Sequence, residues 1–184
     1  MPNKKRANRS ASRTIRINRA PVLTLWATIV AERMGFRRDE ALTLGRAVAG
    51  LNAYTKGKSL GLYKPKPKDL AVRRRAMRHG EILHTELLHR AVSAVHTPDG
   101  LRALSKDRPI DPDSVQRYLE SKFGAGLAAA RAAMTRLARA HSASALASDA
   151  YSLYEAFRPA VPAGLRGWGA AGVLDLGKIA KLAQ

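Results

Sequence analysis

Residues 21–35, PVLTLWATIVAERMG, constrain the fold more than any other stretch of the chain. Pro21 suits the first turn of a helix, where its missing N–H costs nothing. Gly35 supplies a left-handed stop. Between them apolar side chains fall on nearly every side of the helical turn. A helix without a polar face has to be buried all round.

The segments that follow offer partners for it. Asp39 and Glu40 stand where acids favour the positive end of a second helix, which puts Ala41, Leu44, Val48 and Leu51 on one face. Asp111-Pro112 reads as a cap followed by proline at the first helical position. From there Val115, Leu119, Phe123, Leu127, Ala130, Met134 and Leu137 step by four or three, one apolar stripe through a long helix that Gly124 and Gly126 weaken. Leu146, Leu153, Tyr154 and Phe157 mark a third segment ending at Pro159, and a short helical pattern closes the chain from Asp175.

Residues 69–95 also read as a helix, capped at Asp69. TIRIN (14–18) alternates as a short strand would. Pro98-Asp99-Gly100 is a turn around which AVSAVH and LRALS could pair as a hairpin. The expected fold is mainly α: a helical bundle with a basic N-terminal arm and room for one short β-hairpin. The expected divisions are a flexible basic arm over 1–19 and a helical hairpin over 20–55. A Lys/Pro-rich loop over 56–68 and a helical scaffold over 69–184 complete them. No internal repeat is visible.

Charge is the strongest functional signal. The formal net charge is +19, from 33 basic and 14 acidic side chains. Residues 1–78 hold 20 Lys and Arg against Glu32, Asp39, Glu40 and Asp69, whereas residues 79–184 hold 13 against 10. Such an excess calls for an anionic partner, nucleic acid or an acidic membrane surface, and says nothing of the fold. No apolar stretch approaches the ~20 residues of a membrane helix. Cysteine is absent, which excludes disulfides and thiolate metal sites and suits an intracellular protein. The first nineteen residues have no apolar core, unlike a secretory signal, and no amphipathic apolar face, unlike a transit peptide.

Two clusters carry the excess. The arm supplies Lys4, Lys5, Arg6, Arg9, Arg13, Arg16 and Arg19. The second supplies Lys56, Lys58, Lys64, Lys66, Lys68, Arg73, Arg74, Arg75 and Arg78 against Asp69 alone, with Tyr54 and Tyr63 interleaved. Cations of this kind release counterions from phosphates, and tyrosine can stack on exposed bases. Arg37 and Arg38 add charge at the start of the second helix.

Residues 27–46, ATIVAERMGFRRDEALTLGR, resemble the helix–turn–helix of DNA-binding repressors. Ala31 and Gly35 have the spacing of the helix contact and the turn. Val30, Met34, Phe36, Ala41 and Leu44 fall on the apolar offsets. The resemblance covers these twenty residues only. It implies that the second helix presents Thr43, Arg46 and Asn52 to a DNA groove. Leu42 departs from the pattern, where an outward polar residue is usual. The same residues also suit a buried helical hairpin.

Other motifs fail on context. Gly57-Lys58-Ser59 has the closing letters of a P-loop, but Asn52 stands where the first glycine belongs, and a helix rather than a strand precedes it. Gly57, Ser59 and Gly61 fit the letters of a nucleophile elbow without its strand–helix setting. Glu81-x-x-His84 and Glu86-x-x-His89 match a di-iron spacing, yet both would lie on one helix. Asp107, Asp111 and Asp113 read as turn and cap residues, so no carboxylate cluster for metal ions is visible. Trp168 suits a core plug better than a base-stacking platform. Arg117, Arg131 and Arg139 read as solvated or as secondary phosphate contacts.

The sequence thus points to a non-catalytic nucleic-acid-binding protein, not an enzyme, without metal or cofactor. DNA at the nucleoid of the cytoplasm is favoured, with regulation or chromosome association as the role. Structured RNA or the ribosome is the alternative, and a nucleic-acid-processing enzyme comes third. No membrane partner is expected, and the helices after Asp111 offer a homodimer surface.

Overall fold

The computed structural model describes residues 14–59, 82–165 and 169–184, the side chains of 56–59 excepted. Its centre is helix α1 (Arg19–Arg33), buried without interruption from Pro21 to Ala31. The buried hydroxyls of Thr24 and Thr28 donate to the carbonyls of Ala20 (2.9 Å) and Thr24 (2.8 Å), so no polar group is stranded. Trp26 donates from Nε1 to the carbonyl of Ala150 (2.8 Å) and meets Phe157 edge-on at 5.4 Å. Gly35 turns the chain at φ +103.

Helix α2 (Arg38–Ser59) folds back on α1. Glu40 caps it from within, its carboxylate accepting the Arg37 N–H at 3.1 Å. The helices meet at Gly45, where a Cβ would press on Thr28 Oγ1 and lie 2.6 Å from the Thr24 carbonyl oxygen. α2 runs through Ser59, so the Gly57-Lys58-Ser59 triplet lies in a helical turn, and residues 56–59 are not the start of a loop.

Four strands follow: β2 (Leu83–Leu87), β3 (Arg90–Thr97), β4 (Gly100–Ser105) and β5 (Arg108–Pro109), an antiparallel meander in that order. The helix expected over 69–95 is therefore wrong from Leu83 onward; residues 69–81 lie outside the described residues. Alternation decided the matter: Val92 and Ala94 are buried while Ala91, Val95 and Thr97 are not. The β2–β3 turn places Leu88 and His89 at φ 49 and 56, a costly conformation for a branched residue. Burial of Leu88 (3 % exposed) and a 2.8 Å hydrogen bond between His89 Nε2 and the Ser148 carbonyl offset that cost.

The hairpin expected around Pro98-Asp99-Gly100 is present, but as the middle of a larger sheet. The β4–β5 turn holds Lys106 and Asp107 at φ 49 and 63. A two-residue turn with both φ values positive favours Asn-Gly or Asp-Gly. Asp107→Gly should therefore stabilise the protein by about 1 kcal/mol, a rise of roughly 2–4 °C in thermal midpoint. An unchanged or lower midpoint by calorimetry would contradict this.

The stripe from Val115 to Leu137 faces the core as expected, with Leu127 partly exposed, but the helix is not continuous. Helix α3 (Pro112–Phe123) stops at Gly124 (φ +53) and a 3-10 turn spans Gly124–Gly126 before helix α4 (Leu127–Arg139). Gly126 is small because Ile15 packs there: a Cβ would sit 2.8 Å from its Cδ1. Helix α5 (Ala143–Phe157) follows.

TIRIN is strand β1 (Thr14–Asn18), paired antiparallel with β6 (Ala171–Asp175), a strand too short and glycine-interrupted to read in advance. Helix α6 (Leu176–Leu182) completes the chain, with Asp175 accepting from the N–H groups of Gly177 (2.8 Å) and Lys178 (3.3 Å). Residues 14–19 are thus part of the fold and not of a flexible arm, and 69–184 is not purely helical. Both sheets share one core with the helices: Ile17, Leu87, Val92, Ala103 and Leu174 join the cluster around α1.

Candidate nucleic-acid interface

Basic residues are unevenly distributed along the chain. Residues 1–13 and 56–81 hold 14 of the 33 Lys and Arg, against only Asp69 and Glu81. The other 145 residues hold 19 against 12. The first segment enters the fold at Thr14, which is paired with Asp175. The second begins on α2, which is described through Ser59. Nearby, Arg90 Nε donates to Asn52 Oδ1 at 2.8 Å and ties α2 to β3. Asn52 is 4 % exposed, so it faces the interior and not a groove.

Most arginines among the described residues have partners. Arg102, 7 % exposed, donates to Asp39 Oδ2 (2.9 Å) and to the carbonyls of Leu101 (2.9 Å) and Asp99 (3.2 Å). Arg37 donates to the Asp99 carbonyl (2.6 Å) and lies 3.5 Å from Glu40. Glu40 accepts the Leu101 N–H at 3.0 Å. These contacts fasten the β3–β4 turn to the start of α2. Gly100 is required there, at φ +115, because a Cβ would collide with the Arg37 guanidinium. Arg38 donates to Gln116 Oε1 (3.1 Å), and Arg19 to the Pro159 carbonyl (3.2 Å). Arg46 stacks over Tyr118 at 4.4 Å. Burial raises the Tyr118 hydroxyl's pKa, against the pull of Arg46.

Thr43, like Asn52, is an expected groove contact that is buried. Its hydroxyl donates to the Glu40 carbonyl (2.8 Å) and accepts the Ala103 N–H (3.0 Å). It holds the sheet to α2 and cannot reach a base edge. Arg131 is likewise not solvated: its Nη2 bridges both Glu32 carboxylate oxygens at 2.7 and 2.8 Å. Arg16 is exposed on β1, opposite Val173. Lys4, Lys5, Arg6, Arg9, Arg13, Tyr63, Lys64, Lys66, Lys68, Arg73, Arg74, Arg75, Arg78 and Trp168 lie outside the described residues, as do the side chains of Lys56 and Lys58.

The two acids of the α2 clamp respond to their surroundings. Hydrogen bonding from the Leu101 N–H, and then from Arg37, holds Glu40 below its ordinary 4.5 against the effect of burial. For Asp39 burial raises the pKa, but Arg102, the Glu40 N–H and Arg37 together outweigh it and bring the value below 3.8. A folded-state pKa below the unfolded one contributes stability that is present above the unfolded value and is lost as pH falls through the folded one. The thermal midpoint should therefore drop as pH is lowered below about 4.5, and Glu40→Gln should flatten that drop. Asp39→Asn should flatten it less, because Asp39 is more exposed. Parallel midpoint–pH curves for wild type and Glu40→Gln would rule the clamp out as the cause.

Among the described residues no group of His, Asp and Glu could hold a metal ion, and no helix is long and apolar enough to cross a membrane. His84 lies on β2 and His89 in the β2–β3 turn, so the helical spacing considered for them does not exist. Sequence reasoning missed Arg136, Lys178 and Lys181; Arg136 stands far in the chain from the two lysines, which lie three residues apart on α6. No family model matches the chain, and neither a curated protein nor a solved structure is significantly similar to it.

Proposed function

We propose that the chain is a non-catalytic nucleic-acid-binding protein that grips phosphates through residues 1–13 and 56–81, with duplex DNA at the nucleoid as its first target. One observation carries the reading: fourteen cations and two acids are concentrated in these segments, on a body whose own arginines are mostly paired internally. Charge needed only for solubility has no reason to segregate in this way. The segments neutralise phosphates and displace counterions, which gives affinity without sequence preference.

In this reading α1 and α2 orient the segments and do not read bases. A helix–turn–helix pair crosses steeply and parts soon after the turn. Here the helices still touch at Gly45, ten residues beyond Gly35. α2 also packs against β4 and α3, which leaves Arg46 on Tyr118 and Thr43 in the core.

Competition between duplex DNA, single-stranded DNA and structured RNA at two salt concentrations tests the proposal. Duplex DNA should compete best, with affinity falling steeply at higher salt. Preference for RNA at both salts would transfer the function to an RNA or ribosomal partner, and no affinity for any of the three would end the reading.

A further inference from the structure

We infer that helices α6 and α4 carry a phosphate-contact surface of their own, with Lys178, Lys181, Arg136 and Arg139 as its contacts; this rests on the nucleic-acid reading above. The antiparallel register pairs Thr14, where the arm enters the fold, with Asp175, the residue before α6. α6 packs directly on α4. Neither helix contains an acidic residue. Lys178, Lys181, Arg136 and Arg139 are all exposed, and none has an ion-pair partner among the described residues. Only Arg131, paired with Glu32, is neutralised.

Helix dipoles account for part of this pattern, since Arg136, Arg139 and Lys181 stand in last turns. They do not account for Lys178, which occupies the first turn of α6 and faces the positive end of the dipole. On α4 an open depression of about 480 Å³ is lined by Ala128, Arg131, Ala132, Thr135, Arg136 and Arg139. The alanines leave room for a phosphate to come up to the guanidinium groups, whose planar forks match its oxygens. Cations unpaired among the described residues, on two helices that pack against each other close in the fold to Thr14, offer a polyanion backbone several contacts.

The test uses the full chain and a short DNA duplex. Arg136→Gln with Arg139→Gln, and Lys178→Gln with Lys181→Gln, should each flatten the slope of log affinity against log salt by up to about two units, at roughly 0.9 per phosphate. Arg136→Lys with Arg139→Lys should retain most of the slope. Thermal midpoints should stay at the wild-type value. In the unmutated chain, bound duplex should protect Lys178 and Lys181 from acetylation, a readout that does not depend on any variant folding. Wild-type slopes in both glutamine variants, or full acetylation in the complex, would overturn the inference and leave the nucleic-acid reading standing. No DNA binding by the wild-type chain would remove that reading itself. Loss of binding to phosphatidylserine vesicles with DNA binding intact would overturn the assignment of the surface to nucleic acid.

Discussion

Deleting residues 1–13 and replacing Lys56, Lys58, Lys64, Lys66 and Lys68 by glutamine should abolish tight binding to duplex DNA and leave thermal unfolding nearly unchanged. The change removes ten cations. A protein neutralising six to ten phosphates loses roughly 10³- to 10⁵-fold in affinity between 50 and 200 mM salt, whereas the variant should show a much shallower dependence, carried by Arg73, Arg74, Arg75, Arg78 and the cations of α4 and α6 that remain. The loss should be spread over the lysines, each worth up to about one unit of salt slope. Ser59→Ala should do almost nothing. Gly57-Lys58-Ser59 lies within helix α2, about twenty residues past its start, whereas a P-loop stands at the start of its helix and offers a phosphate the positive end of the dipole. Binding of a nucleoside triphosphate that depended on Lys58 and Ser59 alone would defeat the distributed grip.

Gly45→Ala should destabilise the protein by about 3 kcal/mol, roughly 6–12 °C in thermal midpoint. The added Cβ would lie 2.6 Å from the Thr24 carbonyl oxygen and 2.8 Å from the Thr28 nitrogen. Both are backbone atoms of a helix buried on all sides, so neither can turn away. Gly50 lies on the same helix with nothing within 4 Å of an added Cβ. Gly50→Ala should therefore stabilise, by about 0.5–1 kcal/mol, through helix propensity alone. Opposite signs at two glycines of one helix would be the signature of close α1–α2 contact. Equal effects measured by denaturant unfolding would show that the contact is loose.

Local chemistry made the helices legible. The apolar run from Pro21, the stop at Gly35 and the acids at 39 and 40 each act within a turn of the backbone, as do the caps at Asp111 and Asp175. The sheet was harder. LHTELLHRAVSAV offers both a helical and an alternating pattern, and the choice fell to pairing with β4, which Thr43 and Glu40 fasten to α2 by accepting the N–H groups of Ala103 and Leu101. Thr43 misled for the same reason. A threonine on a helix can face a groove or the core, and only the strand laid across α2 makes it a core residue.

The amino-acid sequence by itself determined the helical centre, the turn at Gly35, the caps and the concentration of cations in two segments, because each depends on neighbours in the chain. Tertiary structure alone decided that β1 pairs with β6, that Arg102 and Arg131 are spent on Asp39 and Glu32, and that α6 lies on α4. Pairings between elements this far apart in the chain leave no periodic trace in sequence, since they are fixed by whichever faces must be buried together. The phosphate contacts proposed for Arg136, Arg139, Lys178 and Lys181 depend on that packing of α6 on α4.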